Sequence, residues 1–289
     1  MQFIAFILIY PLLWMISMLP FRLFYLLSDF FYVIMYHIVG YRKNTVKKNI
    51  SIALPHLTDK ERLEIEKKSY HHLCDLFLEM IKTLTISKEE MDKRFTITNI
   101  ELVKEYEKKG RSIALMTGHY ASYEWSISMN KHFSHKGFAI YKKIANPYFD
   151  KLVRDIRSKF GASLITTKET IPTIEENHKN NLLSIYGFAS DQSPKPSRAF
   201  YWGTFFGKET PLQTGAEMLA KKYDMTMLYL KIKKVKRGYY EASFEELTEN
   251  PNRFPDFEIT DLFMKKLEVQ ILEAPEYYLW SHKRFKVKK

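Results

Sequence analysis

Residues 1 to 21, MQFIAFILIYPLLWMISMLPF, contain no charged side chain, and FRLFYLLSDFFYVIMYHIVG extends the apolar run with only Arg22 and Asp29. About 20 such residues suffice for a helix to cross a bilayer. Pro11, Pro20, Arg22 and Asp29 interrupt the run, so the pattern favours helices lying in or dipping into one leaflet over two clean spans. A buried helical hairpin of a soluble core is the competing reading, but helices apolar nearly all round suit lipid better. Neither a basic leader nor a small-residue cleavage site marks the run as a secretory signal. Residues 1–40 are therefore expected to be a membrane anchor, and 41–289 a separate domain.

TDKERLEIEKKSYHHLCDLFLEMIKTL, from Thr58 onward, repeats apolar residues at helical spacing behind a Thr58–Glu61 capping box. From residue 112 short apolar runs alternate with helical stretches. SIALMT, GFAIYKK, ASLITT and NLLSIYGFAS read as strands. SYEWSISMNKHF, NPYFDKLVRDIRSKFG, ETIPTIEENHK and PLQTGAEMLAKKY read as helices, and MTMLYLKIKKV pairs with YYEASFEEL. Strands alternating with helices predict an α/β fold with a mostly parallel central sheet flanked by helices.

Composition narrows the function classes. Hydrophobic residues make up 46% of the 289, with 21 Phe and 19 Tyr, which excludes a disordered chain. The single cysteine, Cys74, excludes an internal disulfide and a Cys-rich zinc site, and suits a reducing compartment. A net charge of +12 calls for an acidic partner: nucleic acid, an anionic membrane or an acidic protein. Arg42, Lys43, Lys47 and Lys48, directly after the apolar run, read as a cytoplasmic flank.

In an open α/β sheet, reactive groups gather beyond the carboxyl ends of strands. TGHYASYEW puts His119 there, after the strand 112–117 and Gly118, with Glu124 five residues on. With His119 in the loop and Glu124 in the first turn of the next helix, the imidazole can fold back onto the carboxylate. Glu124 would then fix the tautomer, and the other ring nitrogen would take a proton from a hydroxyl. Nine histidines and 33 acidic residues make one chance pair at this spacing unsurprising. A second pair, His56 and Glu61, is explained by the capping box.

DQSPKPSRAFYWGTFFGKETPLQTGAEMLAKKY, with its Asp-Gln, Phe-Phe-Gly and Pro-x-x-Thr-Gly, resembles the bacterial late acyltransferases of lipid A biosynthesis, in the lysophospholipid acyltransferase superfamily. PEYYLWSHKRFK is similar to that family's closing motif, and VKKNISIALPHLTDKE to its Asn-Leu…Phe-Pro segment. The resemblance implies an acyltransferase domain over 41–289, in which His119 and Glu124 are the H-x4-[DE] catalytic pair. It further implies that Arg157 stabilises an anionic oxygen or phosphate, that Asp191 and Gln192 line the cleft, and that Gly207 and Thr214, with Gly215, border a helix start able to hold phosphate. A solvated helix charge, a turn before Pro194 and a plain helix cap are the respective structural alternatives. The aromatic FYWGTFF is expected to floor an acyl groove, with plain core as the alternative. His71, His72, Asp75 and Glu79 are expected to form a charged solvent face, and HKRFKVKK a basic patch for anionic headgroups.

The combined expectation is a membrane-bound acyltransferase at the inner membrane, facing the cytoplasm. It would need no cofactor or metal. Its donor would be a fatty acyl thioester on acyl carrier protein or coenzyme A, and its acceptor a hydroxyl of a lipid A precursor. Another membrane lipid as acceptor, or an inactive membrane-surface binding protein, are the alternatives; nucleic acid is not an expected partner.

Overall fold

In a computed structural model describing residues 2–286, the apolar N-terminus forms helices α1 (Gln2–Met18) and α2 (Phe21–Val33), the latter extended by a π-helical turn to Val39. Phe21–Val39 is long and apolar enough to cross a membrane by length and composition. Leu23, Leu26, Phe30, Val33, Ile38 and Val39 lie exposed along it. Two amphipathic helices follow, α3 (Lys43–Ala53) and α4 (Asp59–Lys82), and α4 opens with the expected Thr58–Glu61 capping box. The Lys82 ammonium closes the end of α1 by donating to the carbonyls of Ser17 at 2.7 Å and Leu19 at 2.6 Å.

The elements that follow, in chain order, are α5 (Lys88–Arg94), β1 (Phe95–Ile97), α6 (Ile100–Lys108) and β2 (Ile113–Thr117). A 3₁₀ helix (Trp125–His132) stands where a longer α-helix was expected, leaving Glu124 in the turn before it. Then come β3 (Lys136–Tyr141), α7 (Pro147–Ser158), β4 (Ser163–Thr166), α8 (Thr170–Lys179) and β5 (Ser184–Ala189). A two-stranded ribbon, β6 (Trp202–Phe205) and β7 (Lys208–Pro211), precedes α9 (Gly215–Lys222), β8 (Thr226–Lys236), β9 (Tyr239–Thr248) and α10 (Glu258–Glu273). The main sheet has the order β1-β9-β8-β2-β5-β3-β4, parallel except for the β8–β9 hairpin, so the expected α/β class is observed. Ile113, Ala114, Met116, Met227 and Leu228 are buried in its centre, which helices cover on both faces.

The set His71, His72, Asp75 and Glu79 on α4 is not a solvent face. Asp75 and Glu79 are buried, His72 is buried beside them, and only His71 is half exposed. The reason is the β8–β9 hairpin, whose tip reaches past the sheet onto α2 and α4. Arg237 at the tip holds Asp29 of α2 at 2.6 Å and Asp75 of α4 at 2.7 Å. Glu79 accepts from the hydroxyls of Tyr25 and Tyr240, each at 2.8 Å. Partners from three separate elements satisfy the charges that the helical pattern alone assigned to water.

Candidate active site

Strand register sets the centre of the site. β2 and β5 are parallel neighbours, with Thr117 opposite Ala189, so the residues two further along, His119 and Asp191, leave the sheet side by side. His119 Nδ1 donates to Asp191 Oδ1 at 2.6 Å. A carboxylate only accepts, so the proton belongs on Nδ1 and Nε2 is left with its lone pair. The Gln192 amide nitrogen lies 3.2 Å from Nε2 and donates to it. Tyr278 donates its hydroxyl to Asp191 Oδ2 at 3.1 Å, and the Tyr123 ring stands edge-on to the imidazole. Burial alone would lower the His119 pKa. The Asp191 charge and hydrogen bond outweigh burial and, with Glu124 contributing less, raise it above the ordinary histidine value. Burial likewise pushes Asp191 up, but His119 and then Arg284 bring it below the usual carboxylate range.

The carboxylate on the ring is therefore Asp191, where the spacing pointed to Glu124. Glu124 faces Arg157 in a two-pronged ion pair, Nη2 to Oε1 at 2.5 Å and Nε to Oε2 at 2.9 Å. Arg157, read as a stabiliser of an oxyanion, spends two of its three nitrogens on this pair. The cause is local: after Gly118 the chain turns at Ala121 with a left-handed φ of 48°, and this carries Glu124 toward α7 instead of back to the ring. Gly118 itself answers a close approach. A Cβ there would come 2.5 Å from Leu267 Cδ1 of α10.

Arg157, Asp191 and Gln192 thus gather with His119 and Glu124, whereas Gly207 and Thr214 do not join them. Gly207, at φ 67° behind Phe206 at φ 49°, makes the tight turn between β6 and β7 and opens no helix. Thr214 caps α9 without a side-chain hydrogen bond, and the first turn already holds the buried carboxylate of Glu217. That charge opposes a phosphate at the same helix start. Within the aromatic FYWGTFF, Phe205 is fully buried against Tyr278 and Phe285, whereas Phe200 is exposed. An apolar cavity of about 80 Å³ lies under the 3₁₀ helix, lined by Leu115, Thr117, Ile127, Phe133, Gly187 and Leu230 among others.

The C-terminal segment is more than a basic patch. Lys283 and Lys286 are exposed, and 287–289 lie outside the described residues, but Arg284 is only 2% exposed. It donates to Ser193 Oγ at 2.7 Å and to the Pro211 carbonyl at 3.1 Å, against the Phe205 ring. The segment also pairs with the histidine loop. Leu279 N–H donates to the His119 carbonyl and Ala121 N–H to the Tyr277 carbonyl, each at 3.0 Å. Asn49 clamps it from the other side through the carbonyls of Trp280 at 2.7 Å and His282 at 2.6 Å. Tyr123 escaped the sequence reading, since a lone aromatic carries no spacing signal; Tyr278 and Arg284 fall within the closing motif PEYYLWSHKRFK, but that motif alone assigned them no role.

Residues 1–287 match the family described as bacterial lipid A biosynthesis acyltransferase. The chain is 22% identical over 279 residues to the lipid A biosynthesis lauroyltransferase of Escherichia coli (strain K12), covering 96% of this chain and 89% of that protein. It is 20% identical over 278 residues to the lipid A biosynthesis acyltransferase of Haemophilus influenzae (strain ATCC 51907 / DSM 11121 / KW20 / Rd), covering 92% and 82%. The resemblance of the Asp-Gln, Phe-Phe-Gly and closing motifs therefore extends along nearly the whole chain, which is an acyltransferase belonging to the bacterial lipid A biosynthesis acyltransferase family.

Proposed function

We propose that the protein moves a fatty acyl group from a thioester to a hydroxyl of a lipid A precursor, with His119 as general base. The observation that carries this reading is the His119–Asp191 hydrogen bond at 2.6 Å, which leaves Nε2 as a proton acceptor at the carboxyl end of the sheet. The acceptor hydroxyl would displace the Gln192 amide from Nε2 and give up its proton there. Its oxygen then attacks the thioester carbonyl, and the tetrahedral adduct collapses by breaking the carbon–sulfur bond. The departing thiolate takes the proton back from the imidazolium, so base and acid are the same ring. Asp191 stabilises the imidazolium between these steps. Glu124 and Arg157 would form the charged wall of the cleft, and the Gln192 donor is placed to follow the developing oxyanion.

Acyl carrier protein, with coenzyme A as the other candidate, is the donor we favour, because a chain of net charge +12 suits an acidic carrier. The cavity beside Thr117 would take the acyl chain. Residues 1–40 would anchor the protein in the inner membrane, with 41–289 as the catalytic domain. The cluster Arg42, Lys43, Lys47 and Lys48 supports a cytoplasmic orientation, beside an anionic membrane surface. The test is mass spectrometry of lipid A from a Gram-negative host lacking its own late acyltransferases, expressing the wild type or His119→Ala. An added acyl mass with the wild type alone is expected. If both proteins reach the membrane and neither adds mass, the acceptor is not lipid A.

A further inference from the structure

The buried polar set on α4 ends at the histidine loop. His72 Nε2 lies 3.3 Å from the Ala121 carbonyl, and Lys234 Nζ lies 3.2 Å from His72 Nδ1. An ammonium only donates, so Nδ1 accepts, and the ring proton sits on Nε2 and points at Ala121. Lys234 is oriented in turn by Asp75 at 3.5 Å, Asp75 by Arg237 at 2.7 Å, and Arg237 by Asp29 of α2 at 2.6 Å. Burial, with Lys234 next to it, holds His72 well below the ordinary histidine range, so it stays neutral. Both of its ring nitrogens are engaged, one by the Ala121 carbonyl and the other by Lys234, so it is not a second base. His72 and His119 nevertheless line one cleft with Tyr277, Tyr278 and Trp280.

Ala121 needs holding. A non-glycine residue at φ 48° is strained by about 1–2 kcal/mol, and such a residue persists where its surroundings over-determine it. Its N–H is fixed by Tyr277, and its carbonyl is fixed by His72. Between these two clamps lies the turn that separates His119, aimed at Asp191, from Glu124, aimed at Arg157.

We propose that His72 is a positioning residue for acyl transfer: its Nε2–H, aligned by Lys234, holds the Ala121 carbonyl and so keeps the 119–124 loop in its working shape. It acts on His119 through the backbone and touches no substrate. The proposal rests on the reading of His119 as the base. It also joins α2, through Asp29, Arg237, Asp75 and Lys234, to the geometry of that base.

The experiment compares the full-length wild type, His72→Leu and His72→Gln in lipid nanodiscs, by acyl transfer kinetics and by amide hydrogen exchange of a peptide covering 119–124. Glutamine can place an N–H near the position of Nε2; leucine cannot. His72→Leu is expected to lower kcat roughly 10- to 100-fold with KM little changed, the size of a small misplacement of a reacting group. Exchange should rise in 119–124 while α4 and the central sheet stay protected, and His72→Gln should recover most of both. Wild-type exchange and kcat in His72→Leu would overturn the proposal. So would equal losses in both variants accompanied by exchange throughout α4, which would make His72 a packing residue. If the wild type itself transfers nothing to a lipid A precursor, the functional reading fails, while the exchange comparison still decides whether His72 holds the loop.

Discussion

His119 Nδ1 and Asp191 Oδ1 meet at 2.6 Å across 72 residues of chain, because the strands that deliver them are in register. Since the base must be neutral to accept a proton, kcat/KM should rise with pH through the His119 ionisation. Asp191 raises that ionisation, so the midpoint of the acid limb is expected above the ordinary imidazole value of about 6.5. Asp191→Asn removes the charge and allows the wrong tautomer. It should move the limb to lower pH and reduce kcat by about 10²- to 10⁴-fold, as a pH–rate profile on the two proteins would register.

Glu124 and Arg157 stand as a partly buried ion pair, 9% and 22% exposed. Removing one partner leaves the other charge uncompensated. Arg157→Met is therefore expected to destabilise the fold by about 2–3 kcal/mol, below the range for fully buried pairs because Arg157 keeps some solvent. The double variant with Glu124→Gln should recover part of that loss. Thermal melts of both single variants and the double, treated as a cycle, give the coupling. Additive losses would mean that the pair contributes nothing as a pair.

Leu115, Gly187 and Ala139 lie in one row across β2, β5 and β3, and all three line the apolar cavity. A Cβ at Gly187 would meet only the Phe138 carbonyl oxygen, at 3.6 Å. A larger side chain there would fill the space without displacing the backbone. Gly187→Val should accordingly shift transfer toward shorter acyl chains, each excluded methylene costing the longer donor ~0.8 kcal/mol of binding. Mass spectra of product made from mixed-length donors would read it directly. An unchanged length distribution would place the acyl chain elsewhere.

Glu79 is pushed up from 4.5 to about 7 by burial and by the neighbouring Asp75. The folded protein then binds a proton more tightly there than the unfolded chain does. The stabilisation from this proton is fully present below pH 4.5, declines as pH rises toward 7, and is absent above. Glu79→Gln should flatten this part of the stability–pH curve, measured by thermal melts across the window. An unaltered curve would assign the pH dependence to other groups.

Periodicity was a good guide wherever one face of an element meets one environment. The parallel strands, the capped start of α4 and the α/β class follow from that rule, as does the position of His119 past a strand end. It failed on α4, because alternation reports only that polar groups face away from apolar ones. It does not report that the hairpin carrying Arg237 covers them. It also failed to choose between Glu124 and Asp191 as the partner of His119. The nearer carboxylate in sequence was the natural choice, but a backbone reversal at Ala121 sends it toward Arg157, and only the pairing of β2 with β5 brings Asp191 in. Gly207 and Thr214 show the reverse error, a motif whose residues serve a turn and a helix cap.

The pairing of the histidine loop with 277–279 also bears on when activity can first exist. During synthesis, strands β2 and β5 leave the ribosome long before Tyr277, Tyr278 and Leu279. The nascent chain can therefore bring His119 near Asp191 without yet holding Ala121 in place. A message truncated just before residue 275 would yield a nearly full-length polypeptide, with its sheet and N-terminal helices encoded, that lacks the strip closing the loop. Such a product would lack the acceptor of the Ala121 N–H and the donor to the His119 carbonyl, so premature termination there should abolish activity although every strand of the sheet is encoded.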